Sequence, residues 1–306
     1  MSNIRTIERI GRRLERAVRK SGPANGRNRR VSEVDELRGR VDAMEQELRD
    51  ARVARYTQEL LFGGLDGRGA RMPTKGSVDT LVTQVEAATG ERDARAHVVA
   101  AFRTLVEVEL RGVGRIAGGT PNILGKLTVP LLLGPPNDDV LEIGTLFGLF
   151  SSALTRQFAR AGRHCSLTIV DPLADVQLQP GTANTADPSG TPVSESVVRT
   201  NLELSGVPAE RVRLHQGFSG DPAIRRAVSD RAYGTVIVDG DHSAEGVRAD
   251  LEWVEEIVAP GGLVVVDDYG DRTWPGVKEA ADEYLAGDTA FELMGVASTS
   301  AFLRRR

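Results

Sequence analysis

What this 306-residue chain lacks narrows it before any motif is considered. It has one cysteine, Cys165, so an internal disulfide and a disulfide-stapled secreted fold are excluded. Cys165 opens the apolar run "CSLTIV" and is read as a buried structural thiol rather than a nucleophile. No apolar stretch approaches the roughly 18 residues of a bilayer span. The N-terminus "MSNIRTIERIGRRLERAVRK" lacks the apolar centre of a signal peptide, so a cytoplasmic location is expected. Lysine is confined to Lys20, Lys75, Lys126 and Lys278, and histidine to His97, His164, His215 and His242. The net charge of −4 offers no overall basic surface, and no nucleic-acid partner is expected. Basic character is local, with ten Arg and Lys in residues 1–30 against Glu8 and Glu15. At 40% hydrophobic and 27% charged the balance is that of a soluble protein with one large domain plus appendages, or two modest ones.

Ile4, Ile7, Ile10, Leu14 and Val18 recur at helical spacing among arginines, which predicts a basic amphipathic helix in residues 1–30. It is suited to an anionic membrane surface, such as the inner membrane face, to a partner helix, or to its own protein. "SGPANGRNRR" predicts a joint. Over residues 31–60, Val34, Leu37, Val41, Met44, Leu48 and Ala51 alternate three and four apart, the seam of a short coiled coil. Homo-oligomers through these helices are one expectation, folding back on the main domain the other. Residues 61–119 are expected to be a Gly-rich linker, "LFGGLDGRGARMPTKG", and a helical lead-in. From residue 120 to 306, "DDVLEIG", "CSLTIVD", "RVRLHQG", "GTVIVDG" and "GGLVVVDD" are short β-rich runs, most separated by helical segments. This predicts an α/β, Rossmann-like parallel sheet with helices on both faces. "FELMGV" and "TSAFLRR" supply a closing antiparallel pair.

The first strand runs into Glu142, Ile143, Gly144, Thr145, Leu146, Phe147 and Gly148, followed by a helix. Gly144 permits a tight turn, and Gly148 would let the helix start approach a ligand closely. The spacing is not that of the dinucleotide G-x-G-x-x-G, which weakens a nicotinamide reading. The neighbouring strand ends at Asp171, where a carboxylate can accept from both hydroxyls of a ribose. Gly217, Phe218 and Ser219 end another strand at the edge that would face an adenine ring, with Phe218 equally suited to the core.

Taken in order, E-x-G-x-x-x-G, the strand-end aspartate, "VDGDHS" and "PGGLVVVDDYGDRTWPGVKEAADEY" resemble the class I S-adenosylmethionine-dependent methyltransferases. Within that fold they are most similar to the metal-dependent sugar O-methyltransferases of macrolide and aminocoumarin biosynthesis. The resemblance implies S-adenosylmethionine as cofactor, held by Glu142, Gly144, Thr145, Gly148, Asp171, Gly217, Phe218, Ser219 and Asp239.

Asp239 ends one strand and Asp267 and Asp268 end the next. Parallel neighbours bring their carboxyl ends together, and three unneutralised carboxylates would repel. A hard divalent cation, Mg²⁺ or another, would resolve that, and the resemblance assigns Asp239, Asp267 and Asp268 as metal ligands. Methyl transfer to a neutral hydroxyl also needs a base. Macrolide-type relatives place a histidine where His242 stands, aminocoumarin-type relatives an aspartate where Asp241 stands, and catechol-type relatives use a lysine. None of the four lysines is expected near this turn. His242 is therefore the first choice of base, with Asp241, otherwise a helix cap, as its rival.

Acceptor contacts are expected from "GGTPNILGKLTVPLLLG", from the polar insertion "ADVQLQPGTANTADPSGTPVSES", and from Tyr269 and Trp274. The expected activity is Mg²⁺-dependent O-methylation of a sugar hydroxyl on a small-molecule natural product or cell-envelope glycan acceptor. The alternatives are methylation of a catechol or phenol, and an assembly or membrane-tethering protein that binds cofactor without turnover.

Overall fold

The computed structural model describes residues 25–63, 70–175, 178 and 191–306. Most of the stretch 1–30, where a basic helix and joint are expected, and most of the polar insertion lie outside them. The chain falls into two units, Met1–Gly64 and Leu65–Arg306.

In the first unit the described residues form one helix, α1 (Asn25–Phe62). It begins inside the stretch expected to be a joint. Pro23 is the last residue there that forbids helix, and the arginines after it are good helix formers.

The second unit comprises α2 (Lys75–Thr89), α3 (Ala94–Arg111), α4 (Thr120–Leu133), β1 (Asp139–Ile143), α5 (Leu149–Arg160), β2 (Ser166–Asp171), α6 (Glu195–Leu204), β3 (Val212–Gln216), α7 (Pro222–Val228), β4 (Tyr233–Val238), α8 (Ala244–Ile257), β5 (Val258–Val266), α9 (Pro275–Ala286), β6 (Phe291–Ala297) and β7 (Ser300–Arg305). The sheet order is β3-β2-β1-β4-β5-β7-β6. Strands β1 to β5 are parallel, and β7 pairs antiparallel with both β5 and β6. All seven predicted strands are present.

Strand alternation divides the core. Val140, Ile169, Ile237 and Val265 pack with α2 to α6, whereas Leu141, Val170, Val236 and Val264 pack with α8 and α9, because successive side chains point to opposite faces. The lead-in helices α2 and α3 share their core with α4 and α5, so no domain boundary falls at residue 120. The expected linker also holds a buried residue. Arg71 donates to both Glu109 oxygens at 2.8 and 2.6 Å and to the carbonyls of Gly118 (2.8 Å) and Ile116 (2.5 Å), tying this stretch to the segment before α4. Cys165 is buried and free, as expected. No helix among the described residues is long and apolar enough to cross a membrane.

Candidate active site

The chain order of the strands reverses between β1 and β4, which opens a crevice at their carboxyl ends. The ladder fixes what stands there. Ile143 pairs with both Val170 and Val238, and Val238 with Val266. The next residues, Gly144, Asp171, Asp239 and Asp267, therefore share one edge. The bonds continue past the strands: Gly144 N donates to Val170 O, Asp239 N to Ile143 O and Asp267 N to Val238 O, at 2.9, 2.9 and 3.0 Å. Along this edge lies a cleft of about 1020 Å³.

One end of the cleft is built from the glycine loop. Gly144 has φ +84°, and a Cβ there would sit 2.0 Å from the Asp239 carbonyl oxygen. Only glycine lets the loop after β1 pass this close to the loop after β4. Asp171 Oδ2 accepts from Thr145 N at 2.7 Å and Leu146 N at 3.0 Å, and Oδ1 from Leu173 N at 2.8 Å. Asp171 thus shapes the loop and still faces the cleft. Glu142 is buried and accepts from Ser151 Oγ at 2.6 Å and from Thr145 Oγ1. Burial pushes its carboxyl up to about 7, against those two hydrogen bonds. Gly217, Phe218 and Ser219 line the cleft beyond Asp171, and Phe218 is exposed, not core. Gly148 does not line it. With φ +73°, its Cβ would meet Val198 Cγ1 at 2.9 Å, so this glycine serves the packing of α6 on α5.

The other end is the acidic cluster, where the structure corrects the expectation about lysine. Lys126, on α4, is wholly buried (1% exposed). Its Nζ lies 3.2 Å from Asp239 Oδ2 and bonds Asp267 Oδ2. Burial opposes its charge, but Asp239 and Asp267 outweigh that and raise its pKa. Asp267 Oδ1 accepts from Asn122 Nδ2 at 2.7 Å and Ser300 Oγ at 2.8 Å. Although burial works against it, the lysine and these hydrogen bonds hold Asp267 down at about 2.

Asp268 faces the other way. Its φ of +53° turns the carboxylate toward His242, whose Nε2 lies 3.6 Å from Asp268 Oδ2 and 3.4 Å from Asp239 Oδ1. Burial and then the charges of Asp267 and Asp239 push Asp268 up to about 7; burial and Asp267 also raise Asp239. Burial opposes protonation of His242, but the Asp239 hydrogen bond and the surrounding carboxylates prevail and raise it. Trp274 packs on the imidazole, ring centroids 4.9 Å apart. Ligand atoms of Asp239, His242 and Asp268 all lie within 4.8 Å of one another. The expected trio of aspartates is thus divided: Asp267 bonds Lys126, whereas Asp239 and Asp268 lie beside His242.

Asp241 is exposed at the cleft wall. It accepts from Ser243 N at 2.8 Å, and the cap of α8 is Ser243, whose Oγ accepts from Gly246 N. Tyr269 is buried, its hydroxyl bonded to Asp282 and Lys278 at 2.6 and 2.9 Å; of the two aromatic candidates, Trp274 alone lines the cleft.

Residues 141–269, which carry the glycine loop, Asp171 and all the acidic residues of the cluster, match a family model described as a methyltransferase domain. Residues 141–269 carry a methyltransferase domain. Its strand order and glycine loop are those that the resemblance to the class I methyltransferases leads one to expect. No curated protein matches the chain. Among solved structures, the methyltransferase is similar to the O-methyltransferase NovP, with 22% identity over 75% of this chain and 99% of that one and a TM-score of 0.48. It is similar to cofactor-bound Rv0187 from MTB, with 19% identity over 76% and 98% and a TM-score of 0.46. TomG from Streptomyces achromogenes, an O-methyltransferase involved in tomaymycin synthesis and solved in complex with SAM, shows 20% identity over 70% and 90% and a TM-score of 0.42. At these identities and TM-scores the chemistry of this methyltransferase is read from its own side chains.

Proposed function

We propose that the protein is an O-methyltransferase that acts on a sugar hydroxyl of a glycosylated small molecule or glycan, with a divalent cation such as Mg²⁺ at Asp239 and Asp268. The observation that carries this reading is a charge imbalance. Three carboxylates, Asp239, Asp267 and Asp268, cluster around one buried ammonium, Lys126, which contacts Asp239 and Asp267 while Asp268 faces His242. With His242 neutral, two negative charges remain, which is what one divalent cation neutralises. The raised pKa values of Asp239 and Asp268 express the same deficit, and the two carboxylates, which offer oxygens within 4.8 Å of each other, are the hard donors such an ion takes.

When bound, the cation would polarise the acceptor hydroxyl as a Lewis acid, and S-adenosylmethionine supplies the methyl group. The remaining work falls to the chain. Gly144, Thr145, Asp171 and Gly217 to Ser219 line the part of the cleft that would take the cofactor. His242 Nε2, the nitrogen facing Asp239 and Asp268, would take the hydroxyl proton, and those carboxylates favour the imidazolium that results. Trp274 limits the rotation of the imidazole and offers an aromatic face to a sugar ring. Lys126 holds Asp267, and through it the start of the loop that carries Asp268. Buried and engaged with Asp239 and Asp267, its ammonium suits a positioning role rather than that of a base. The presence of this lysine therefore does not favour a catechol acceptor.

The test is methyl transfer from S-adenosylmethionine to a panel of glycosides and catechols, with and without chelator. Transfer to glycosides that falls with chelator and returns with Mg²⁺ is the expected result. Cofactor binding with chelator-insensitive transfer, or transfer to catechols alone, would overturn the reading.

A further inference from the structure

Helix α1 presents an apolar seam that its own described residues do not cover. Leu37, Met44 and Leu48 are 36%, 60% and 38% exposed, Ala51 is exposed, and Val34 and Val41 are half-buried. In heptad positions, Val34, Val41 and Leu48 fall at a, and Leu37, Met44 and Ala51 at d. Val34 and Val41 at a with Leu37 at d favour two strands, whereas Leu48 at a and Met44 and Ala51 at d add no such preference. The flanking charges decide orientation independently. Arg38, Glu45 and Arg52 occupy e, and Arg40 and Glu47 occupy g.

In a parallel, in-register pair each g residue faces the e residue five places on in the other helix. Arg40 then meets Glu45 of the partner subunit, and Glu47 meets Arg52 of the partner subunit, opposite charges at each contact. In an antiparallel pair over the same seam, e faces e and g faces g. Arg40 then meets Arg40 of the partner subunit, Glu45 meets Glu45 of the partner subunit, and Arg38 meets Arg52 of the partner subunit. Every one of those contacts is between like charges. The heptad choice and the charge pattern agree, and we infer that α1 pairs with α1 of a second copy as a parallel, in-register, two-stranded coiled coil. Both chains then leave the coil at its Phe62 end. The seam from Val34 to Ala51 is short, roughly 27 Å at 1.5 Å per residue, so the association is concentration-dependent.

Sedimentation of the full chain tests this, together with two kinds of variant. The expected result is a monomer–dimer equilibrium that Leu48→Glu shifts to monomer with unchanged helicity. Ala51→Cys should form a disulfide-linked dimer on mild oxidation, because Ala51 faces Ala51 of the partner subunit and the sole native thiol, Cys165, is buried. Arg52→Glu should weaken the dimer about tenfold, and Glu47→Arg added to it should restore it. A chain that stays monomeric at high concentration, whether α1 rests on its own chain or on lipid, overturns the inference. So does a larger oligomer, or an Arg52→Glu dimer that is tighter, since antiparallel pairing would set the introduced carboxylate against Arg38 of the partner subunit. None of these measurements depends on catalysis.

Discussion

Replacing Asp268 with asparagine should make the metal-free protein more stable while it removes activity. Asp268 is pushed from 3.8 to about 7 by burial and by the charges of Asp267 and Asp239. At about 1.4 kcal/mol per pH unit, the ceiling on the cost of ionising it in the fold is roughly 4 kcal/mol. Its side chain is 20% exposed and shares its charge with neighbours, which reduces the figure to about 2 kcal/mol. Asparagine keeps the shape, removes the charge and tolerates the left-handed φ of +53°, so no new strain offsets the gain. The expected rise in Tm is about 4–8 °C in chelator near neutral pH. The sign with pH follows from a raised carboxyl. Below 3.8 both states are protonated and the penalty is absent; it grows as pH rises toward 7 and is constant above. The advantage of the variant should therefore shrink as pH is lowered from about 7 to about 4. Mg²⁺ should raise the Tm of the parent protein and leave that of Asp268→Asn nearly unchanged. Scanning calorimetry in chelator and in Mg²⁺ decides the matter. An asparagine variant less stable than the parent in chelator, or one that gains from Mg²⁺ as much as the parent does, would refute the reasoning.

Lys126→Met strands the buried carboxylate of Asp267 and the half-buried one of Asp239 and should cost about 3–5 kcal/mol in urea unfolding at neutral pH. Because Asp267 is held at about 2, its stabilising contribution is complete above 3.8 and is lost as pH falls through 2, so the penalty should diminish in that window. Gly144→Ala places a Cβ 2.0 Å from the Asp239 carbonyl; calorimetry should find S-adenosylmethionine binding abolished or the protein unfolded, and a variant with unaltered binding would contradict the packing argument. His242→Gln should lower kcat by about 10²–10⁴-fold with cofactor affinity kept, as loss of a general base does, whereas Asp241→Asn should change it only a few-fold. The reverse ranking in steady-state kinetics would transfer the base to Asp241.

Much of the scaffold is legible in the sequence because it rests on local rules. The alternation of Val140 and Leu141, or of Val264 and Val265, marks strands buried on both faces. Gly144 marks the turn that only glycine can make. Strand ends carrying Asp171, Asp239 and Asp267 must share an edge once the strands are parallel. Other features are not legible, because the local rule has two uses. Gly148 suits a ligand or a packed helix equally well, and Val198, fifty residues on, settles it. A Gly-rich stretch looks like a linker until Arg71 is seen to be buried against Glu109.

The sheet, the glycine turn and the presence of acidic residues at the carboxyl ends of β4 and β5 follow from local sequence alone. Only the tertiary structure decided how those acids divide. Asp267 and Asp268 are adjacent, yet Asp267 takes the bonds of Lys126, Asn122 and Ser300 while Asp268 turns toward His242. No local rule separates them, because the difference depends on the positive φ of Asp268 and on a lysine that approaches from α4, 141 residues away in sequence. Charge acts through space, and which carboxylate receives the buried ammonium is settled only when the helices close over the sheet.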